Sequence, residues 1–165
     1  MRFVIQRVSH AQVTIDGQVR GSIQKGYMVL IGIGQEDTEA LADRMIAKML
    51  DLRIFEDADG KSNLSLRDVD GALLLISQFT LYADCKKGKR PSFFKAGEPH
   101  MANDLYEYII RKCKEEVRDV ERGEFGAMMH VELLNEGPFT IILDSAEMGL
   151  SLIHISEPTR LDVIS

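Results

Sequence analysis

Residues 72–80 read ALLLISQFT, in which residues 72–79 form an apolar run of strand length that ends in a cluster of polar side chains. A second run of the same character, residues 27–33 (YMVLIGI), follows Gly26. Continuous apolar runs of this length are typical of strands that are buried on both faces. We therefore expect these two strands to form the buried part of a sheet.

Further strands are predicted on both sides of this pair. Residues 2–8 (RFVIQRV) and 11–15 (AQVTI) alternate between apolar and polar, which is the period of a strand with one buried face. Asp16-Gly17 is a hairpin signal, so residues 18–23 are expected to return as the partner strand. Shorter strands are predicted at residues 53–55, 131–134 and 139–143, and a turn-rich loop at residues 56–61.

Two segments have helical periodicity. Asp37-Thr38-Glu39 can cap a helix that runs to about Leu52. A longer helix is predicted from about Met101 to Arg122, with apolar residues on one face and charges on the other. Many strands and two main helices, with no repeat or linker, predict a single α+β domain. We expect a mixed, mostly antiparallel, barrel-like sheet in a domain that spans residues 1–149.

Composition narrows the function classes. The chain has 165 residues, 45% of them apolar, and a net charge of −6, which disfavours an indiscriminate nucleic-acid binder. It lacks an apolar run of about 20 residues and a signal peptide, so we expect a cytoplasmic protein without membrane contact. Cys85 and Cys113 lack metal-ligand spacing and are interpreted as ordinary reduced thiols. We predict no metal and no cofactor.

The C-terminal residues 150–165 (LSLIHISEPTRLDVIS) match the translation of a transposase adapter used in preparing sequencing libraries. After Arg160 the match continues, because Leu161 fits the next codon and Ile164-Ser165 follow two free positions. We interpret this segment as read-through with no function, rather than as a natural amphipathic tail. His154 is therefore not considered as a ligand.

Three segments could take part in chemistry. The cluster Ser77-Gln78-Phe79-Thr80 is either a functional site at a strand end or a strand that simply becomes polar. Gly137-Pro138 is either an ordinary turn or a cis peptide whose backbone carbonyls could contact a substrate. A basic cluster could be a solvated loop or a phosphate contact; it consists of Lys86, Lys87, Lys89 and Arg90. His10, His100 and His130 are isolated, and we assign them surface or structural roles.

Together, Ser77–Leu81 (SQFTL) and Asn135-x-Gly137-Pro138-x-Thr140 resemble the signature pair of the D-aminoacyl-tRNA deacylases. The likeness extends in order from residue 1 to about 145. Its other segments are Ile5-Gln6-Arg7-Val8, Arg53-Ile54-Phe55, Arg90-Pro91-Ser92-Phe93 with Lys95, and Gly123-x-Phe125-x-Ala127-x-Met129. One departure is Phe139, because the family usually has Val after Gly-Pro.

The resemblance implies a homodimer with two sites at the subunit interface and a cis Gly137-Pro138 bond that reaches into the partner's pocket. It implies that Ser77, Gln78, Phe79 and Thr80 are the catalytic residues around the 3′-terminal adenosine and its aminoacyl ester. Arg7 is expected to help hold the Gly-Pro motif. The remaining expected substrate contacts are Gly137, Pro138, Phe125 and Met129, and the expected tRNA contacts are Lys86, Lys87, Lys89 and Arg90.

The expected substrates are D-aminoacyl-tRNA and glycyl-tRNA, because a rigid backbone that rejects L side chains cannot exclude a residue without a side chain. For catalysis, we expect the ribose 2′-OH of the terminal adenosine to activate water or assist its attack. The rival hypothesis is Thr80 as a covalent nucleophile, for which the sequence offers no obvious activating base. Two rival functions are a nucleic-acid binding module without catalysis and a hydrolase of another small ester or amide.

Overall fold

The computed structural model describes residues 1–150. The interpretation of residues 150–165 as read-through therefore falls outside the described residues, except for Leu150. Leu150 is buried in the main core. The strands and helices follow one another as β1 Arg2–Ile15, β2 Gln18–Ile23, β3 Gly26–Gly32, α1 Glu39–Asp51, β4 Phe55–Glu56, β5 Ser62–Leu64, β6 Ala72–Ser77, a 3-10 turn Phe79–Tyr82, α2 Pro99–Glu116, β7 Val120–Arg122 and β8 His130–Asp144.

The main sheet has the strand order β2-β1-β3-β6-β7, and β8 pairs with the remaining edge of β1. β1 runs antiparallel to β2, β3 and β8, whereas β3–β6 and β6–β7 are parallel pairs. The predicted mixed, mostly antiparallel sheet with two main helices is therefore confirmed. The two continuous apolar runs of the sequence are the adjacent buried strands β3 and β6.

The sheet has an apolar core on each side. On one side, α1 and α2 cover a cluster that includes Tyr27, Ile31 and Leu75. On the other, the second half of β1 curls with β2 and β8 over Met28 and Leu74. Burial on both faces explains why β3 and β6 read as continuous apolar runs. The curl gives the sheet its barrel-like shape.

Several predicted boundaries are wrong. β1 continues through residues 9 and 10 as one strand, and β8 is one strand through the Gly-Pro segment, because both pair with each other over nearly their whole length. α2 ends at Glu116, since Val117 is extended and residues 120–122 pair with β6 as a further strand. β6 ends at Ser77, and the chain then turns into a short 3-10 helix.

Candidate active site

A cavity of about 610 Å³ opens at the carboxyl ends of β3 and β6. Its lining includes the apolar residues Ile31, near the end of β3, Ile33, just after that strand, and Ala102 from α2. Ser77, Gln78 and Phe79 form one wall, which places three of the four predicted catalytic residues on the cavity surface. The predicted strand-end cluster is thus at the rim of a real cavity.

Backbone pairing fixes the position of the Ser77–Thr80 segment. The Gln78 N–H donates to the Ile31 carbonyl at 2.8 Å, which extends the β3–β6 pairing by one residue. Gln78 Nε2 donates to Thr80 Oγ1 at 2.6 Å, so the Thr80 side chain, which is not among the lining residues, is bonded to one that is. Phe79 and Thr80 begin the 3-10 turn, and the first N–H groups of a helix have no acceptor within it.

Aromatic rings form the mouth of the cavity. Phe79 is 55% exposed and meets Phe93 edge to face, with ring centroids 4.9 Å apart. Phe94 also lines the cavity and is 62% exposed. Phe93 and Phe94 were not predicted as site residues. The available signal was two adjacent phenylalanines in an otherwise polar, basic loop, where no core pattern requires them.

Of the two residues predicted from the Gly123–Met129 segment, the structure brings one to the cavity. Phe125 lines it, together with Gly126, whose φ of +76° turns the chain at the cavity wall. Met129 is not among the lining residues. It packs in the second core, where its Sδ lies only 2.5 Å from the position that a Cβ on Gly123 would take.

The Gly137-Pro138 motif lies on β8, and its peptide bond is cis, as the resemblance implies. Arg7 contacts the residue before the motif: Nη2 and Nε donate to the Glu136 carbonyl at 3.0 and 3.2 Å, and Nη1 donates to the Ile54 carbonyl at 2.6 Å. The Phe139 N–H donates to Asn135 Oδ1 at 2.9 Å. These contacts anchor the motif to its own chain while Gly137 and Pro138 remain exposed.

The two signature motifs do not meet within one chain. Gly137 lies level with Arg7, which pairs with Tyr27, which in turn pairs with Leu73. Ser77 is therefore three strands across, roughly 14 Å, and four residues along, roughly 13 Å, from the Gly-Pro motif. Gly137 instead borders a separate polar cavity of about 670 Å³ beside Arg7 and Lys25.

The basic cluster belongs to a closed surface loop. Asp84 and Ser92 exchange two backbone hydrogen bonds, at 2.7 and 2.9 Å, across the base of the loop. Lys95 Nζ lies 3.9 Å from the Asp84 carboxylate. The predicted tRNA contacts are all exposed and lie outside the cavity lining; they are Lys86, Lys87, Lys89 and Arg90.

Glu98 is the one charged side chain among the lining residues. Its carboxylate caps α2 by accepting hydrogen bonds from the N–H groups of His100 and Met101 and from His100 Nδ1. These bonds lower the pKa of Glu98 to about 2, and the His100 N–H contributes most to this shift.

Within residues 1–150, no group of three or more His, Cys, Asp or Glu side chains is arranged to hold a metal ion. Among the helices of that same range, none is long and apolar enough to cross a membrane.

Sequence and structure comparisons agree with this architecture. The D-Tyr-tRNA(Tyr) deacylase family model matches residues 4–144. A D-aminoacyl-tRNA deacylase of Koribacter versatilis (strain Ellin345) is 53% identical over 145 residues, which cover 88% of this chain and 97% of the relative. One from Clostridioides difficile (strain 630) is 52% identical over 147 residues, covering 89% of this chain and 99% of that protein.

Two solved structures are also similar. A c-Myc DNA unwinding element binding protein has a TM-score of 0.83 and 38% identity, covering 88% of this chain and 99% of its own. A probable eukaryotic D-amino acid tRNA deacylase shares the fold, with a TM-score of 0.77 and 17% identity over 87% of this chain and 98% of its own. From the family match and the two bacterial relatives, this chain belongs to the D-Tyr-tRNA(Tyr) deacylase family, a family of hydrolases that act on ester bonds.

Proposed function

We propose that this protein hydrolyses the ester bond that joins a D-amino acid, or glycine, to the 3′-terminal adenosine of tRNA, and that it spares L-aminoacyl-tRNA. One observation supports this most directly. The family's SQFT motif borders an apolar, aromatic cavity of about 610 Å³, within the range of volumes that bind small organic groups. Adenosine and an aminoacyl ester together form a group of that class.

The terminal adenine fits the aromatic side of the cavity. Unpaired bases are commonly recognised by stacking on aromatic side chains, and Phe79 and Phe93 present their rings there. In this arrangement the ribose and the ester lie next to Ser77 and Gln78. The Glu98 carboxylate gives this end of the cavity a negative charge, which suits the positively charged α-amino group of an aminoacyl ester.

Catalysis depends on orientation and on the oxyanion. The backbone N–H groups of Phe79 and Thr80 have no acceptor inside the 3-10 turn, so they can donate to the ester oxygen as negative charge develops. The ribose 2′-OH assists the attack of water. Thr80 as a nucleophile lacks an activating base, because its hydroxyl accepts from the neutral Gln78 amide. Trapping an acyl-enzyme on Thr80 would refute this mechanism.

The second half of each site comes from a partner subunit. Gly137 and Pro138 are exposed, anchored by Arg7, and too far from the cavity of their own chain to contact a substrate there. In a homodimer, the motif of one subunit closes the cavity of the other. The exposed apolar residues Leu134 and Ile142 lie on the same strand and can pack in the dimer interface.

Chiral selection follows from this closure. When the α-amino group and the ester carbonyl are both held, the side chain of a D-residue points away from the Gly-Pro backbone, and that of an L-residue collides with it. Selection by rejection needs no side-chain pocket, so it accepts many D-residues and also glycine.

The loop of Lys86, Lys87, Lys89 and Arg90 contacts phosphates of the acceptor stem. Its four cations lie on a protein whose overall charge is −6, so they provide a local attraction for RNA.

The segment 150–165 takes no part in the reaction. Its first residue, Leu150, packs in the core.

The decisive experiment measures the deacylation of D-Tyr-tRNA, L-Tyr-tRNA and Gly-tRNA, with the full chain and with a chain that ends at Gly149. We expect both proteins to hydrolyse the D-Tyr and Gly esters and to spare the L-Tyr ester. KM should rise with salt, and neutralising the four loop cations should flatten that rise.

Other results would point elsewhere. Equal rates for the D and L esters would exclude the chiral gate. Binding of tRNA without any change in the ester's half-life would favour a binding module, and equal turnover of simple D-amino acid esters would favour a general esterase.

A further inference from the structure

Phe94 is the most exposed of the three phenylalanines at the cavity mouth, at 62% compared with 55% for Phe79 and 37% for Phe93. The other two rings contact each other edge to face. Together the three rings form an exposed apolar patch beside the cavity, and contiguous patches of this kind mark interaction sites.

The backbone around Phe94 is held firmly although its ring is uncovered. Gln35 Nε2 donates to the Phe94 carbonyl. The Ala96 N–H donates to the Phe93 carbonyl at 3.0 Å, and Ala96 pairs with Gly34 in an isolated bridge. A ring presented by a fixed backbone loses little conformational freedom when a ligand covers it.

A cation lies over the same ring. Lys95 Nζ is 5.8 Å from the centroid of Phe94, and it also approaches the Asp84 carboxylate at the base of the basic loop. The ring therefore sits between the cavity and the loop that carries Lys86, Lys87, Lys89 and Arg90. An aromatic ring with neighbouring cations is the combination that binds single-stranded nucleic acid, since bases stack and phosphates pair with charge.

We propose that Phe94 stacks the base next to the terminal adenosine, and that Lys95 pairs with the phosphate between these two nucleotides. The proposal rests on the proposed function, in which the cavity holds the terminal adenosine. The single strand that leaves the cavity must then pass its mouth, where Phe94 and Lys95 are exposed. With this contact, the protein recognises the unpaired 3′ end of the tRNA as well as the aminoacyl group.

The test compares two substrates, D-Tyr esterified to adenosine and D-Tyr esterified to a CCA trinucleotide. We expect wild type to prefer the trinucleotide in kcat/KM. Because a stacked base contributes enough to change binding by about tenfold, Phe94→Leu should reduce that preference about tenfold, and Phe94→Tyr should retain it. Phe79→Leu is the matched control: it removes a ring at the adenosine itself, so it should lower kcat/KM for both substrates by the same factor.

A preference that Phe94→Leu leaves intact, or that Phe94→Tyr loses as fully as Phe94→Leu, overturns the proposal. Equilibrium binding of unacylated CCA and of adenosine gives the same comparison without catalysis. If wild type hydrolyses neither ester, the proposed function fails, and the binding comparison still decides whether Phe94 stacks the second base. Val19→Ala removes an exposed apolar side chain on β2, which lines neither the cavity nor its mouth, and should leave both comparisons at wild-type values.

Discussion

Phe139 shows how a single residue that departs from its family can be accommodated. Its ring lies under the guanidinium of Arg7, with the Arg7 Cζ 4.5 Å from the ring centroid, and it packs against the main core. The same guanidinium donates to the Glu136 carbonyl beside the Gly-Pro motif. Phe139 therefore packs beneath Arg7 and is not among the residues that line the cavity at Ser77.

Phe139→Val, which restores the usual family residue, should lower the free energy of unfolding by about 1–2 kcal/mol, because it removes a cation–π contact and part of the buried ring. Deacylation of D-Tyr-tRNA and the preference over L-Tyr-tRNA should stay within about twofold of wild type, since Arg7 keeps its hydrogen bonds. Urea denaturation and the deacylation assay measure the two effects. A large loss of chiral preference at unchanged stability would instead place the ring against the substrate.

Single residues were predictable from the sequence where a local rule governs them. Thr38 caps α1 as expected, with Oγ1 accepting from the Leu41 N–H at 3.2 Å. Phe93 and Phe94 were missed because no periodic pattern marks a ring at a cavity mouth, and their one signal was their position as adjacent phenylalanines in a polar, basic loop. Arg7 was assigned through resemblance, and its contacts with Ile54 and Glu136 depend on strand pairing across most of the chain.

At the scale of elements, α2 begins with a Glu98 cap and Pro99 in its first turn, and its start also forms one edge of the cavity. Proline is favourable there because it has no N–H to leave unpaired. The Glu98 carboxylate accepts from two backbone N–H groups and from His100, which lowers its pKa to about 2 from a usual 4.5. A carboxyl whose pKa is lowered by folding stabilises the protein above the unfolded pKa and loses that effect as pH falls through the folded pKa.

Glu98→Gln should therefore lower the melting temperature at pH 7, and the difference from wild type should shrink as pH falls from about 4.5 towards 2. Thermal unfolding followed by circular dichroism over that range measures it. Glu115→Gln is a matched control in the last turn of α2, where the carboxylate pairs with Lys112 at 3.6 Å on the surface. If the difference in melting temperature between Glu98→Gln and wild type persists unchanged at pH 2, the shape of the Glu98 side chain, and not its charge, stabilises the start of α2.

The boundaries of elements were less predictable than their existence. β3 and β6 followed directly from their apolar runs, because both faces are buried. The Gly-Pro dipeptide predicted a break between two strands at residues 135–138. In the structure β8 pairs with β1 before and after these residues, so it continues through them as one strand. The end of α2 was placed too late because Val117 and Val120 continue the apolar pattern, although both are extended.

At the scale of the whole molecule, the chain places its two signature motifs on different surfaces. Ser77 and Gln78 lie at the cavity, and Gly137 lies on the edge strand β8 beside a second cavity. In a dimer with two-fold symmetry, the Gly-Pro motif of each subunit would meet the Ser77–Gln78 segment of the other subunit. The symmetry would produce two equivalent sites. Sequence could suggest both motifs, but their separation within one chain is visible only once the strand order is known.

Shared sites predict complementation between two inactive variants. Gln78→Ala removes a cavity side chain, and Gly137→Ala places a Cβ 3.0 Å from Arg7 Nη2 at a φ of +133°, which disturbs the Gly-Pro motif. A dimer with one subunit of each kind has one site with two intact halves and one site with none. When equal amounts are unfolded and refolded together, half of the dimers are mixed, so D-Tyr-tRNA deacylation should recover to roughly a quarter of wild type. Each variant refolded alone is the control and should stay inactive. If the mixture is no more active than its parts while size-exclusion chromatography shows dimers, each site is built within one subunit and the cross-subunit arrangement is wrong.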